Sequence, residues 1–410
     1  MSEMFTLLPA AEALEVLLRA LPGEVRTETV PSADALGRVL AATLTAPSAL
    51  PSFPRSTMDG YAVRSSDTFG ASEALPAYLA LAGEVPMGRP ETTPIETGQA
   101  ILIHTGGMLP PGADAVVMLE QTQPVAGETV EILRAVAPGE NTVAVGEDMR
   151  AGGTLLEAGH RLRPQDVGGL MALGITMVPV ATRPRVAILS SGDEVVAPEL
   201  IPGPGQVRDV NTYTLAGVIT QAGGVPVPKG IAPDDLQVLL ATAETALVST
   251  DALVLSAGSS VSIRDLTAKV IAALGSPGVL VHGLAIKPGK PTILAVCGGK
   301  PVIGLPGNPV GAMVVAGLIL APLLARLQGE RRPTLRTRVT ATLARNLASA
   351  PGREDYVPVR LAERDGRLWA EPVLGKSNLI YTLIKADGEL CIPLDSGGLH
   401  EGEPVEVRLF

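Results

Sequence analysis

The chain has 410 residues, of which 46% are hydrophobic and 18% charged, so it carries enough apolar material for packed cores. This composition excludes a wholly disordered chain, and the length predicts roughly two to three domains. The formal net charge of −10 argues against a general nucleic-acid binder, which needs a basic surface to neutralise phosphates. Two cysteines exclude a disulfide framework and a four-ligand zinc site.

The first 181 residues predict a helical start followed by a β-rich region. Apolar residues at helical spacing indicate a helix that stops at Pro22-Gly23. Ser32 is the predicted N-cap of a second short helix. Residues 45–181 contain many turn residues and short apolar runs, typical of β-strands, and one further helix is expected over 164–173.

Residues 184–328 alternate strands with helices, which predicts βαβ units and a mostly parallel sheet. Strands are expected over 186–189, 252–255 and 292–296. Helices are expected over 211–221, 233–247, 266–274 and 309–327, with Asn211 and Asp265 as N-caps of the first and third. Residues 330–410 predict a small β-barrel or sandwich with strands near 337–344, 356–361, 368–373, 389–393 and 403–409.

One apolar segment, residues 309–325, contains no charged side chain. It falls short of the roughly 20 residues that a bilayer span needs, and a buried helix of the α/β region explains it better. The N-terminus has no basic start and no cleavage signature, so no signal peptide is predicted. We therefore expect a cytoplasmic protein that binds no membrane.

Two acidic motifs lie in the β-rich region. Asp59-Gly60 is the first, and an Asp-Gly pair is most often a turn. Gly146-Glu147-Asp148 is the second; such acidic residues are usually solvated, although paired carboxylates can hold Mg²⁺ through water.

The α/β region places polar loops at predicted strand ends, where such sheets bind ligands. Ser190 to Glu194 follow one strand, and a Gly/Ser loop from Ser256 to Ser262 follows another; such a loop before a helix suits a phosphate. Lys287-Pro-Gly-Lys290-Pro291 is not a nucleotide P-loop, because Pro291 stands where Ser or Thr should be. Its lysines still form a compact cationic site. Gly304 to Pro309 is either a structural turn or an anion-binding helix start.

Taken together and in this order, the motifs resemble the molybdopterin molybdenumtransferase family, which includes the molybdate insertase MoeA and the C-terminal domain of gephyrin. The matching pieces, between residues 51 and 310, are SFPRSTMDGYAV, TGGMLPPGADAVVMLE, GED, SSGDEV, GQVRDVNTYTL, IRD, AIKPGKP and GLPGNPV.

The resemblance implies a multidomain α/β plus β fold. Its centre would be a three-layer α/β domain like that of the adenylyltransferases MoaB and MogA, formed by residues 1–27 and 182–329. Residues 28–44 and 148–181 would form a linking domain, 45–147 a projecting β domain, and 330–410 a C-terminal β-barrel. A homodimer is implied, with a molybdopterin adenylyltransferase as a candidate partner. The active site would lie between the α/β domain of one subunit and the Asp59 region of its partner.

The implied reaction inserts molybdate into adenylylated molybdopterin with release of AMP and with assistance from Mg²⁺. Glu194, Asp193 and Asp265 would hold Mg²⁺ or the adenylate phosphate. The implied catalytic residues are Asp59, Asp148, Glu194, Asp265, Lys287 and Lys290, of which the lysines would neutralise molybdate or phosphate. The implied binding residues are Thr105, Ser190, Ser191, Gly192, Asp193, Ser256, Gly258, Ser259, Ser260, Pro306, Gly307 and Asn308.

This chain departs from the family pattern at several places. Ala257 and Ser262 replace two glycines of the Gly/Ser loop, and Val143 stands where an arginine is common. Lys376-Ser377-Asn378 replaces a Gly-Ser-Gly loop in the tail. These changes leave two alternatives beside the insertase: a molybdopterin adenylyltransferase, suggested by Arg264-Asp265-Leu266-Thr267, and a non-catalytic binding or scaffold protein.

Overall fold

The computed structural model describes residues 7–90, 92–125, 127–257, 261–331 and 337–410, and of residues 261–264 it describes the backbone only. Gly258, Ser259 and Ser260 lie outside the described residues, and so does the side chain of Ser262.

The α/β region is built on a mixed sheet with helices on both faces. The described strands, in order across the sheet, are Val225–Ala232, Arg185–Ser191, Ala252–Ala257, Lys300–Pro306, Ile293–Cys297 and Pro277–His282. The first four run parallel, and the last two are antiparallel to their neighbours, so the prediction of a mostly parallel sheet is confirmed. Three strands of this sheet were not predicted, because each contains Pro and Gly, which weaken a strand pattern: Val225–Ala232, Pro277–His282 and Lys300–Pro306.

Side chains alternate across this sheet and so fill two cores. Val186 and Ile188 face a cluster that includes Leu215, while Ala187 and Leu189 face the opposite cluster. A strand buried on both faces explains the continuous apolar sequence. The helices are Ala10–Arg19, Asn211–Gln221, Leu236–Ser249, Val261–Ala273, Pro309–Val315 and Ala321–Leu327, with a π-helical turn over Ala316–Leu320.

The helical segment Pro309–Leu327 is apolar enough to span a membrane by length and composition, with a mean hydropathy of 2.1. In the structure 61% of its most apolar window is buried inside the protein. Ala312, Val315 and Ile319 belong to the main core cluster. The segment is therefore a core helix, as the sequence predicted.

The projecting region is a second sheet with apolar clusters on both faces. Its described strands, in order, are Ala115–Met118, Gly60–Val63, Gln99–Ile103, Ala77–Glu84, Thr129–Ile132 and Thr122–Val125. Short 3₁₀ helices cover Ser65–Thr68 and Leu119–Gln121. A ribbon of Arg55–Ser56 with Thr142–Val143 stands beside this sheet.

The linking region pairs Thr27–Pro31 with Met177–Ala181, and Leu44–Thr45 with Thr154–Leu156. The predicted helix is present as Pro164–Ala172. The predicted second short helix is present as a 3₁₀ helix, Ser32–Asp34. The N-cap prediction for Ser32 is wrong, because Pro31 holds that position and the Ser32 hydroxyl donates to the Ile175 carbonyl at 2.7 Å.

The C-terminal region is a closed β-barrel. The strand Glu354–Arg364 closes it by pairing with Arg367–Pro372 on one side and with Gly388–Ile392 on the other. Its described strands, in order around the barrel, are Glu354–Arg364, Arg367–Pro372, Arg338–Leu343, Pro404–Leu409 and Gly388–Ile392. Smaller elements are the pair Leu347–Ala348 with Gly398–Leu399, the pair Val195–Val196 with Val207–Arg208, and the helix Tyr381–Ile384. Ile286–Lys287 adds to the barrel as a parallel strand, which ties the lysine loop to it.

Candidate active site

Three parallel strands end side by side at one edge of the α/β sheet. Ser190 lies opposite Ser256, and Ser256 lies opposite Leu305. The predicted binding residues of three separate motifs therefore meet at this edge, which we call the strand-end edge. It consists of Ser190, Ser191, Gly192, Ser256, Pro306, Gly307 and Asn308.

Asn211 joins these strand ends. Its Nδ2 donates to the Ser256 hydroxyl at 2.7 Å and to the Gly307 carbonyl at 2.9 Å. Its Oδ1 is buried and has no partner among the described residues. The N-cap prediction for Asn211 is wrong, because Val210 holds that position and Asn211 is the first helical residue. Asn211 belongs to the family motif GQVRDVNTYTL, and this membership is the sequence signal that could have identified it as a site residue.

Three carboxylates lie beside the strand-end edge. Asp193 is exposed and Glu194 half-buried, and the Asp234 backbone N–H donates to Asp193 Oδ1 at 3.2 Å. Burial raises the pKa of Asp234 above its ordinary value, and the charges of Asp193 and Glu194 act in the same direction. Asp234 Oδ1 is buried without a hydrogen-bond partner among the described residues. Asp234 is not among the site residues expected from the sequence, because Pro233-Asp234-Asp235 has the pattern of a helix start.

That helix begins later than predicted, at Leu236, and Asp235 caps it by accepting from the Gln237 and Val238 N–H groups. Helix Val261–Ala273 begins earlier than predicted. Asp265 is therefore its fifth residue and is exposed, so the N-cap prediction for Asp265 is wrong.

The two lysines lie on a loop that packs against the start of the core helix. Gly289 has φ +115°, and a Cβ there would come within 2.7 Å of Val315 Cγ2. The loop is closed by the Thr292 hydroxyl, which donates to the Gly289 carbonyl at 2.7 Å. Lys287 and Lys290 both extend to solvent, with Lys287 Nζ at 3.8 Å from a carboxylate oxygen of Asp355.

A loop of the barrel reaches the same helix start. Asn308 Nδ2 donates to the Ser377 hydroxyl at 3.0 Å, and the Val310 N–H donates to the Ser377 carbonyl at 3.1 Å. Asn308 occupies the N-cap position and Pro309 the first helical position, as predicted, but the Asn308 side chain makes no capping bond. The Lys376-Ser377-Asn378 departure therefore lies against the strand-end edge.

Asp59 lies at the end of the projecting sheet. Its Oδ1 accepts from the Thr105 N–H at 2.7 Å and from the Thr105 hydroxyl at 3.1 Å. These bonds, with a smaller contribution from His104, hold the pKa of Asp59 below its ordinary value. The following residue must be glycine, since a Cβ on Gly60 would lie 2.0 Å from the Val117 carbonyl oxygen. Thr105, an expected binding residue, thus lies in direct contact with Asp59.

Asp148 is exposed on the turn that follows the ribbon strand Thr142–Val143. Its N–H donates to the Leu50 carbonyl at 3.1 Å, which places the turn beside the segment leading to Asp59. Within the described part of the chain, no hydrogen bond or ion pair joins Asp59 or Asp148 to the strand-end edge. The candidate residues therefore fall into two groups, one on the α/β sheet and one on the projecting sheet.

The predicted metal residues do not form a ready-made site. Across the described residues, no group of three or more His, Cys, Asp or Glu side chains is arranged to hold a metal ion. Asp193 and Glu194 are neighbours of Asp234, whereas Asp265 extends from a helix.

Comparison with known families matches three family models to successive parts of the chain. Residues 8–174 match the MoeA N-terminal region (domain I and II), residues 187–326 a probable molybdopterin binding domain, and residues 340–410 the MoeA C-terminal region (domain IV).

Full-length relatives give the same result. A putative molybdopterin biosynthesis protein of Methanocaldococcus jannaschii is 35% identical, covering 97% of this chain and 95% of that protein. Molybdopterin molybdenumtransferase 2 of Mycobacterium tuberculosis is 32% identical over 93% of this chain and 95% of its own length. The crystal structure of a molybdopterin biosynthesis MoeA protein from Pyrococcus horikoshii OT3 superposes with a TM-score of 0.86 at 33% identity, covering 99% of this chain and 100% of that one.

These matches confirm the fold expected from the motifs: a central three-layer α/β domain with a projecting β domain, a linking domain and a C-terminal β-barrel. With relatives above 30% identity that share almost the whole length, the chain belongs to the MoeA family of molybdopterin molybdenumtransferases, transferases of molybdenum cofactor biosynthesis.

Proposed function

We propose that this protein inserts molybdate into adenylylated molybdopterin and releases AMP, with assistance from Mg²⁺. The observation that carries the proposal is the strand-end edge, where Ser190, Ser256 and Asn211 converge beside the lysine loop. Polar groups at the carboxyl ends of parallel strands suit a phosphorylated ligand, and the buried Ser191 hydroxyl there has no hydrogen-bond partner among the described residues.

The reaction balances without a further reagent. Two thiols of the pterin replace one molybdate oxygen, which leaves with their two protons as water. One water cleaves the phosphoanhydride and gives AMP and the pterin phosphate. Lys287 and Lys290 bind and partly neutralise the anionic groups, because charge-assisted hydrogen bonds to oxyanions are stronger than neutral ones.

The carboxylates beside the edge fit Mg²⁺ held mainly through water and phosphate. Magnesium usually takes one or two protein carboxylates and completes its shell with waters and substrate oxygens. Glu194, Asp193 and the unpartnered Oδ1 of Asp234 are the oxygens that would hold it. When bound there, Mg²⁺ would neutralise charge on the phosphates. Asp265, exposed on its helix, is a weaker candidate.

Asp59 and Asp148 would complete the site from the second subunit of a homodimer. Asp59 is ionised at neutral pH, since its pKa lies below the ordinary value. A carboxylate that stays ionised is suited to hold and orient a water against the phosphoanhydride. We place the enzyme in the cytoplasm, with a molybdopterin adenylyltransferase as the supplier of its substrate.

The test is AMP release from adenylylated molybdopterin with Mg²⁺, with and without molybdate. We expect molybdate-dependent release, a loss of about 100-fold or more in Asp59→Asn and Glu194→Gln, and no change in Asp395→Asn, an exposed carboxylate of the barrel. Binding without release would instead favour the non-catalytic scaffold, and pyrophosphate release from ATP would favour the adenylyltransferase.

A further inference from the structure

The end of the projecting sheet that carries Asp59 also carries a histidine and a second carboxylate. Gly60–Val63, Gln99–Ile103 and Ala77–Glu84 are adjacent strands, with Gly60 opposite Ile103 and Glu84 opposite Leu102. Asp59, His104 and Glu84 each lie at the same end of one of these strands. The sheet therefore brings together three ionisable residues that are far apart in sequence.

A break in the strand register directs Glu84 towards the histidine. The pairing of Ala77–Glu84 with Gln99–Ile103 shifts between Leu81 and Glu84, and Gly83 within the shift has φ +138°. This is a backbone geometry that side chains other than glycine rarely adopt. The register shift leaves Glu84 Oε1 at 2.9 Å from His104 Nε2.

The contact with Glu84 fixes which nitrogen of His104 carries a proton. An ionised carboxylate can only accept a hydrogen bond, so Nε2 must donate to Glu84. The other nitrogen, Nδ1, faces Asp59 Oδ1 at 3.9 Å. That oxygen also accepts both bonds from Thr105. The His104 ring thus lies between two carboxylates, with Nε2 at Glu84 and Nδ1 towards Asp59.

We propose that His104, oriented by Glu84, is a positioning residue that acts through Asp59 in the transfer reaction. The proposal rests on the role given to Asp59 under the proposed function. Thr105 fixes the Asp59 carboxylate through two hydrogen bonds, and His104 presents Nδ1 to the same carboxylate. The side chains of Asp59, His104 and Glu84 are each partly exposed to solvent, so a bound substrate can reach Asp59.

Kinetics of His104→Gln and Glu84→Ala test the proposal. We expect kcat for molybdate-dependent AMP release to fall about 10-fold in His104→Gln, with KM for adenylylated molybdopterin unchanged. Glu84→Ala should lower kcat in the same direction. Adding His104→Gln to Asp59→Asn should cause no further loss, because both changes act on one group. The matched control is His400→Gln, an exposed histidine of the barrel.

A second measurement does not depend on catalysis. Titration of the Asp59 carboxyl carbon by NMR should give a higher pKa in His104→Gln than in the wild type, and an unchanged pKa in His400→Gln. Unchanged titration and unchanged kcat in His104→Gln would overturn the proposal while leaving the proposed function intact. If the wild type releases no AMP, the proposed function fails, and the NMR titration still decides whether His104 and Asp59 are coupled.

Discussion

At the scale of single residues, two aspartates of the proposed site have opposite electrostatic environments. Asp59 accepts two hydrogen bonds on an exposed sheet end, and its pKa is lowered. Asp234 is partly buried near two other carboxylates, and its pKa is raised. One group is thus stabilised in its charged form and the other is not, a pattern common at functional sites.

Asp234→Asn is expected to stabilise the fold and reduce activity. The change removes a partly buried charge that Asp193 and Glu194 repel, so we expect Tm to rise by about 1–2 °C at pH 7. AMP release should fall, because an oxygen available to Mg²⁺ becomes part of an amide. Differential scanning calorimetry and the release assay check both effects, with Asp235→Ala as a control that should lower Tm by removing a helix cap. A lower Tm in Asp234→Asn would contradict this account.

The hydrogen bonds of Asp166 make the stability of the fold depend on pH in the acidic range. Burial alone would raise its pKa, but hydrogen bonds from Arg163 and His160 outweigh burial and lower it to about 2. The bonds therefore stabilise the fold above about pH 4, and this stabilisation is lost as the pH falls towards 2. We expect about 2 kcal/mol of the unfolding free energy to depend on this group.

The measurement is urea unfolding of the wild type and Asp166→Asn between pH 7 and pH 2. The difference in stability should be largest at pH 7 and should shrink as Asp166 becomes protonated. A difference that is independent of pH would show that the carboxylate charge contributes nothing.

At the scale of elements, glycine decides where two segments can approach each other. Gly60 lets its strand lie against the strand Ala115–Met118, and Gly289 lets the lysine loop lie against the core helix. In both cases the space for a side chain is absent, so the local sequence is fixed by packing and not by turn formation alone.

Gly60→Ala should therefore be strongly destabilising, by about 3 kcal/mol or more, because its Cβ would overlap the Val117 carbonyl oxygen. Gly217→Ala is the matched control, since Gly217 lies in the helix Asn211–Gln221 with open space around its Cβ position. It should stabilise the protein by about 0.5–1 kcal/mol. Chemical unfolding of both variants checks the prediction, and equal effects would contradict it.

At the scale of the whole molecule, the candidate residues lie on two separate sheets. The strand-end edge and the lysines belong to the α/β region. The edge contacts the barrel through Ser377, and Lys287 lies near Asp355 of the barrel. Asp59 and Asp148 belong to the projecting region, and no described contact joins them to that edge. Assembly of the two groups from different subunits would reconcile this separation with a single active site.

Mixed dimers test this assembly. Asp59→Asn and Glu194→Gln should each be inactive alone, yet refolding them together should restore about one quarter of wild-type AMP release. Half of the dimers are then mixed, and each mixed dimer carries one intact site of two. Co-refolding two variants of the same group, Asp59→Asn with Asp148→Asn, should restore nothing. Equal recovery in both mixtures would rule out a shared site.

The sequence by itself determined the fold class of each region and the family to which the chain belongs. Hydrophobic patterning correctly predicted the βαβ region, the core helix 309–327 and the β-rich tail, because local periodicity indicates which faces of an element are buried. The motifs also identified the family, since they combine several specific residues in a fixed order. The first residues of helices were harder to predict from the sequence. Three polar residues lie near helix starts, Asn211, Asp235 and Asp265, and of these only Asp235 is an N-cap.

Only the tertiary structure decided which distant residues meet. Asn211 contacts Ser256 and Gly307 because parallel strands end at one edge, and Asp234 acquires its raised pKa from burial next to Asp193 and Glu194. The contact of Glu84 with His104 likewise depends on strand order and on the register shift at Gly83. Such contacts arise from non-local pairing, burial and register, and none of these is encoded in the periodicity of a single segment.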